Sequence, residues 1–113
     1  MSLYASGIIR IISEPKLKTF ESGTMVANFA AGIHEGKDKD GNYINNSMDV
    51  EAWGKSAEII VDKLSKGDCI MASGNVKMQE WTDKEGSPRR KHVLTLQRFE
   101  FLPRQQTQHE EPF

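Results

Sequence analysis

Long hydrophobic runs are missing from this chain of 113 residues. None approaches the roughly eighteen apolar residues that a membrane-crossing helix needs. The N-terminus also lacks a charged start followed by an apolar core, so neither insertion nor export is expected. Cysteine is almost absent. Cys69 stands alone, which excludes an internal disulfide, and its neighbours Ile70, Met71 and Ala72 mark it as a small buried hydrophobe in a reducing compartment. His34, His92 and His109 are scattered singly, with no spacing that suits zinc or a nucleophilic dyad. No phosphate-cradling loop of the type Gly-x-x-x-x-Gly-Lys-Ser occurs, and no segment joins a nucleophile to a base and an orienting group. The expectation is a non-catalytic cytoplasmic protein without cofactor or metal. An excess of one charge is lacking as well: the formal net charge is −1, so any polyanion contact has to come from local clustering.

Such clustering is present. From Lys77 to Arg98 there are six cations (Lys77, Lys84, Arg89, Arg90, Lys91, Arg98) against three acids (Glu80, Asp83, Glu85), while the remainder of the chain is net acidic. Trp81 lies inside this region. In an alternating strand Lys77, Gln79 and Trp81 share one face, with Val76 and Met78 turned toward a core. An exposed indole beside cations suits a polymer of flat bases and negative phosphates, because stacking contributes about 1–3 kcal/mol per base whatever the sequence. The same pattern also fits a tryptophan half covering a barrel surface among solvated charges.

Five β-type runs are punctuated by turn residues. The first spans Tyr4 to Ile12; the second, Thr24 to His34, alternates Met25, Ala27, Phe29, Ala31 and Ile33 on one face, as a barrel interior requires. Glu35 to Asn46 reads as a flexible loop or hairpin tip with Asp40-Gly41 at its centre. The third strand, near Ser47 to Trp53, turns Met48, Val50 and Ala52 inward and Asp49, Glu51 and Trp53 outward. A short helix follows, with Ser56 as candidate cap and Ile60, Val61 and Leu64 at helical spacing, ending at Lys66-Gly67. The fourth strand, Asp68 to Trp81, runs to the turn Asp83-Lys84-Glu85-Gly86, and the fifth, His92 to Leu102, carries Val93, Leu94, Leu96, Phe99 and Phe101. This order, with the helix between strands three and four, predicts an all-β, five-stranded oligonucleotide-binding (OB) barrel over residues 1–103. OB barrels also bind sugars and proteins, so the fold alone does not name a ligand.

Residues 104–113 change to a polar, aperiodic composition that predicts a disordered acidic tail. It ends in Glu110, Glu111, Pro112 and Phe113. A terminal ring and carboxylate behind two acids suit an apolar pocket with a basic rim; a frayed end of no consequence is the alternative.

Several segments together resemble the bacterial and phage single-stranded DNA-binding proteins, over roughly residues 4 to 102 plus the terminus. They are Pro15-Lys16-Leu17-Lys18-Thr19-Phe20-Glu21-Ser22-Gly23, Val26-Ala27-Asn28-Phe29, Trp53-Gly54-Lys55-Ser56-Ala57-Glu58, Lys66-Gly67, and Trp81-Thr82-Asp83-Lys84-Glu85-Gly86. The resemblance implies sequence-tolerant coating of exposed DNA strands in replication, repair and recombination, usually by a homotetramer. It also implies that Trp53 and Trp81 stack on bases and that Glu110 to Phe113 recruit partner proteins. Members of this family often carry further tryptophans; here either stacking is sparser or Tyr43 and Phe20 substitute for them. Lys77, Arg89, Arg90, Lys91 and Lys18 are the candidate phosphate ligands. The chain departs from the family at Ile9-Arg10-Ile11 in a strand that commonly serves the subunit interface, and its tail is very short, as in a compact or phage-encoded form. Two rivals stand beside this reading: an OB module for RNA or a primosome, and an adaptor that mainly holds proteins.

Overall fold

A computed structural model describes residues 2–103, with the side chains of residues 34, 35 and 44 outside the description. Six strands and one helix follow one another as β1 (Leu3–Ile11), β2 (Lys16–Thr19), β3 (Met25–Lys37), β4 (Tyr43–Trp53), α1 (Lys55–Lys63), β5 (Cys69–Thr82) and β6 (Pro88–Phe101). The sheet order is β1-β5-β6-β4-β3-β2, and β1 pairs with β3 as well as β5. That double pairing closes five strands into a ring and leaves β2 as a flap on β3. The expected OB order is therefore present with one more strand: Lys16–Thr19, which lies between the first two expected strands and was assigned to neither, forms β2. Its four exposed residues carry no alternation toward a core and hold their place by pairing, Lys16 with Asn28 and Thr19 with Met25.

The ring is filled as the alternation of strands two and three anticipates. Ala27, Phe29 and Ala31 from β3, Val50 and Ala52 from β4, Ile9 and Ile11 from β1, Ile70 and Ala72 from β5, and Leu94 and Leu96 from β6 form one buried cluster. Ala57, Ile60 and Leu64 join it from the helical segment, spaced so that one stripe of α1 packs against the barrel. Val61, expected beside them, is exposed. Ser56 is not the cap. Gly54 occupies that position at φ 67°, without a side-chain cap bond. Its N–H donates to the Met25 carbonyl at 2.9 Å, and its carbonyl accepts from Ala57 at 3.0 Å. A left-handed residue is needed to turn the chain out of β4 at once, and glycine adopts that conformation without a Cβ clash.

The segment Glu35 to Asn46, expected to be a flexible loop or a hairpin tip, is a hairpin tip whose sides are mostly strand. β3 and β4 form a long hairpin with Lys37 opposite Tyr43 and a bulge between His34 and Lys37, so only residues 38–42 make the turn. The β5–β6 hairpin has the same closure. Asp38 Oδ1 accepts from the N–H groups of Asp40 and Asn42 at 2.9 and 3.0 Å, and Asp83 Oδ1 from those of Glu85 and Ser87 at 2.9 Å each. Gly41 and Gly86 sit at φ 85° and 84°. Asp-Lys-acid-Gly-polar is thus one turn used twice, with the aspartate replacing missing ladder bonds.

A second bulge sets which residues of β6 face inward. Gly74 pairs with Leu96 but Ser73 with Arg98, so one extra residue on β6 shifts the inward set from Leu94 and Leu96 to Phe99. A Cβ on Gly74 would lie 2.1 Å from the Thr95 carbonyl oxygen, which fixes glycine there. Val93 has the opposite parity and is buried under the outer face rather than in the central cluster. Met78, expected to point toward the core, is 46% exposed, because the hairpin there extends past the barrel and has no interior beneath it.

Candidate nucleic-acid interface

The outward parity of β4 and β5 gathers the aromatic candidates on one face. Tyr43, Asp49, Glu51 and Trp53 share a side of β4, and the parallel pairing of Asp49 with Val93 and Glu51 with Thr95 sets the same side of β6 beside them. Gln79 opposite Lys91 and Trp81 opposite Arg89 extend it onto β5. Trp53, Trp81, Tyr43 and Phe20 are 42%, 46%, 48% and 38% exposed. Both indoles therefore stand on the outer face with open surface, the orientation that strand alternation anticipates. A groove of about 320 Å³ opens beside these residues, lined by Glu14, Lys16, Asn28, Asp49, Glu51, Gln79 and Lys91 among others.

Each aromatic has its own support. Phe20 stacks on Trp53 with centroids 6.1 Å apart and planes at 11°, an offset arrangement typical of ring pairs. Lysines lie over three of the rings: Lys18 is 5.0 Å from the Phe20 centroid, Lys37 5.0 Å from Tyr43 and Lys91 5.8 Å from Trp81. These are cation–π distances, so Phe20, Tyr43 and Trp81 each have a positive group beside the ring.

Glu51 organises the Trp53 half. It is 4% exposed although it stands on the outward side of β4. Oε2 accepts from Trp53 Nε1 at 3.0 Å and Thr95 Oγ1 at 3.0 Å, and pairs with Lys77 Nζ at 2.6 Å; Oε1 accepts from Gln79 Nε2 at 3.3 Å. Burial pushes its pKa up, but the bonds from Lys77, Trp53 and Thr95 outweigh that and hold the carboxyl below the usual 4.5. The charge that strand parity sets against a phosphate is thus neutralised inside the protein. Nothing in the linear order announces this. The one available signal was that Glu51, Lys77 and Gln79 all fell on outward positions of neighbouring strands.

The cation cluster of the sequence is divided by the pleat. Lys77 is held by Glu51, Lys91 by Asp49 at 2.7 Å and Arg89 by Asp83 at 2.9 Å. Arg90 stands opposite Glu80 in the strand register, on the other side of the ribbon from Trp81. Asp83 lies below its usual 3.8, first through the Arg89 bond and then through the Ser87 N–H. Lys18, from β2, reaches the aromatic face through Phe20. Glu110, Glu111, Pro112 and Phe113 lie outside the described residues.

The sequence of this face and its barrel matches a known family over residues 8–102, the single-strand binding protein family. The chain belongs to that family. Membership makes it a binding protein and not an enzyme. Single-stranded DNA-binding protein 1 of Synechocystis is 34% identical over 90 residues, covering 79% of this chain and 74% of that one. Single-stranded DNA-binding protein 2 of Nostoc is 33% identical over 93 residues, covering 79% and 68%. Among solved structures, the Plasmodium falciparum SSB complex with ssDNA superposes with a TM-score of 0.77 at 22% identity, covering 91% of this chain and 97% of that chain. The small single-stranded DNA-binding protein of Streptomyces coelicolor gives 0.73 at 12%, covering 89% and 94%. At these identities the two structures establish the OB fold.

Proposed function

We propose that this family member binds single-stranded DNA without regard to sequence, by stacking bases on Trp53 and Trp81 and leading the phosphates past the lysines of the same face. The observation that carries it is the gathering of four exposed aromatics, Phe20, Tyr43, Trp53 and Trp81, on one side of the sheet, three of them with a lysine over the ring. A π face accepts any base, which gives tolerance, and cations accept any phosphate, which gives salt dependence. The two named curated relatives are single-stranded DNA-binding proteins by name, which supports the same ligand here.

The wider reading is coating of DNA strands exposed in replication, repair and recombination, in the cytoplasm. Among the described residues no helix is long and apolar enough to cross a membrane. Residues 1–103 are the binding domain in this scheme and 104–113 the recruiting tail, with Glu110, Glu111, Pro112 and Phe113 docking on partner proteins. Assembly into a homotetramer uses the outer side of β1, where Tyr4 and Ile8 are 57% and 62% exposed.

Mobility shift with an unstructured oligonucleotide at low salt tests the ligand. Trp81→Ala is expected to lose about 1–3 kcal/mol, the contribution of one stacked base, and more than Lys91→Gln does. Preference for the matched RNA over DNA, or no shift at all, overturns the reading in favour of an RNA module or an adaptor. Deleting residues 110–113 leaves DNA binding intact and abolishes partner capture; loss of DNA binding on that deletion contradicts the division of labour.

A further inference from the structure

The aromatics of the face are served by two kinds of lysine. Among the described residues, Lys18 and Lys37 have no carboxylate partner, whereas Lys77 and Lys91 are each closed by an acid of β4. Those two acids differ in depth. Glu51 is buried, so removing Lys77 from it would strand a charge in the interior, and Lys77 is tied down. The Asp49–Lys91 pair is open, with side chains 48% and 44% exposed and Nζ 2.7 Å from Oδ2. Exposed pairs of this kind are weak and exchange readily with other anions.

Lys91 is also the cation beside Trp81, 5.8 Å from its ring centroid. A base stacked on Trp81 carries its phosphate into reach of that ammonium. Asp49 occupies the position first. Resting on the reading that this face binds single-stranded DNA, we propose that Asp49 is an internal competitor of the phosphate: it holds Lys91 in an ion pair that the phosphate must displace, and so lowers the affinity and salt response of the Trp81 half of the face. The groups around the pair fit this role. Val93 and Ala30 flank Asp49 on the adjoining strands and offer it no side-chain donor, and Gln79, opposite Lys91, donates to Glu51. Among the described residues, Lys91 is therefore the side chain that the Asp49 carboxylate binds.

The consequence runs against the usual expectation that a mutation in a binding face weakens binding. Asp49→Asn frees Lys91 and is expected to tighten binding to an unstructured oligonucleotide about two- to fivefold at low salt, the release of one exposed ion pair. In a plot of log affinity against log salt its slope becomes steeper by up to about 0.7, one further phosphate neutralised without a carboxylate left to recapture a cation. Lys91→Gln costs more affinity in the Asp49→Asn background than in the wild type, and Asp49→Glu keeps affinity near the wild-type value. Equal or weaker binding by Asp49→Asn, with an unchanged melting curve, overturns the proposal. An equal gain from Asp49→Asn when Lys91 is already glutamine overturns it too, since that outcome reports general repulsion and not competition for one lysine. Failure of the wild type itself to bind removes the proposed function and this inference together, whereas a binding wild type with an unimproved Asp49→Asn removes only the inference.

Discussion

Glu51 is the residue on which the face depends most. It joins the Trp53 indole, the Lys77 ammonium, the Thr95 hydroxyl and the Gln79 amide at a single buried carboxylate. Replacing it by Gln keeps the volume and removes the charge, leaving Lys77 and the indole N–H with a poorer acceptor. The expected loss is about 1–3 kcal/mol of stability, the range for an unsatisfied or weakened buried polar group, measured by denaturant unfolding. Trp53 emission shifts with it. The carboxyl is held below 4.5 in the folded chain, so its stabilising contribution is present at neutral pH and is lost as the pH falls through that lowered value. Asp83, also lowered, acts in the same direction at the hairpin tip. Acid unfolding of Glu51→Gln should therefore be less steep than that of the wild type below pH 4.5; an identical acid limb contradicts the assigned ionisation. At this scale the outward tryptophans were legible from strand parity alone. The pairing of Lys77, Arg89 and Lys91 was not, because their acids come from a distant strand or from across a turn, and parity gives a face without giving register.

Among the elements, the β5–β6 ribbon carries the Trp81 half of the face and depends on two features of the backbone. One is the bulge opposite Gly74, where any Cβ meets the Thr95 carbonyl oxygen at 2.1 Å. Gly74→Ala is expected to cost about 1–3 kcal/mol, as overpacked sites do, read from thermal or denaturant midpoints; a neutral effect would show that the two strands can separate there. Loss of DNA affinity should follow, since Thr95 also supports Glu51. The other is the turn built on Asp83. Strand, helix and hairpin existence was readable from alternation, the Gly54-Lys55 break and the two Asp…Gly turns. β2 was not, since four exposed residues have no hydrophobic period to read. Nor was the true length of the β3–β4 hairpin, because its polar, glycine-containing outer half extends beyond the core that gives alternation its meaning.

As a whole molecule, the protein is a closed five-strand ring with one flap and two long ribbons. The ring's inner and outer sides have separate duties. Apolar packing inside sets the curvature, and the outer side then brings four aromatics from three separate segments, Phe20 after β2, Tyr43 and Trp53 on β4 and Trp81 on β5, into one surface. This explains why the fold was more legible than the site: burial follows a simple period, whereas the electrostatics of the face depend on which strands become neighbours. The parallel β4–β6 pairing, at Asp49, Val50 and Glu51, is the connection that local sequence cannot show, and it places Lys91 and Thr95 beside their carboxylates. Assembly belongs to this scale too. Light scattering with and without oligonucleotide should give a multiple of the 12.8 kDa chain mass, and Ile8→Glu on the exposed side of β1 should reduce it.

The most direct test of the account is intrinsic tryptophan emission during titration with an unstructured DNA oligonucleotide at low salt, because the chain's two tryptophans are the two rings assigned to stacking. Emission should be quenched on binding in the wild type, quenched to a lesser extent in both Trp53→Phe and Trp81→Phe, and restored by added salt. Emission that stays unchanged while the oligonucleotide is bound would contradict it.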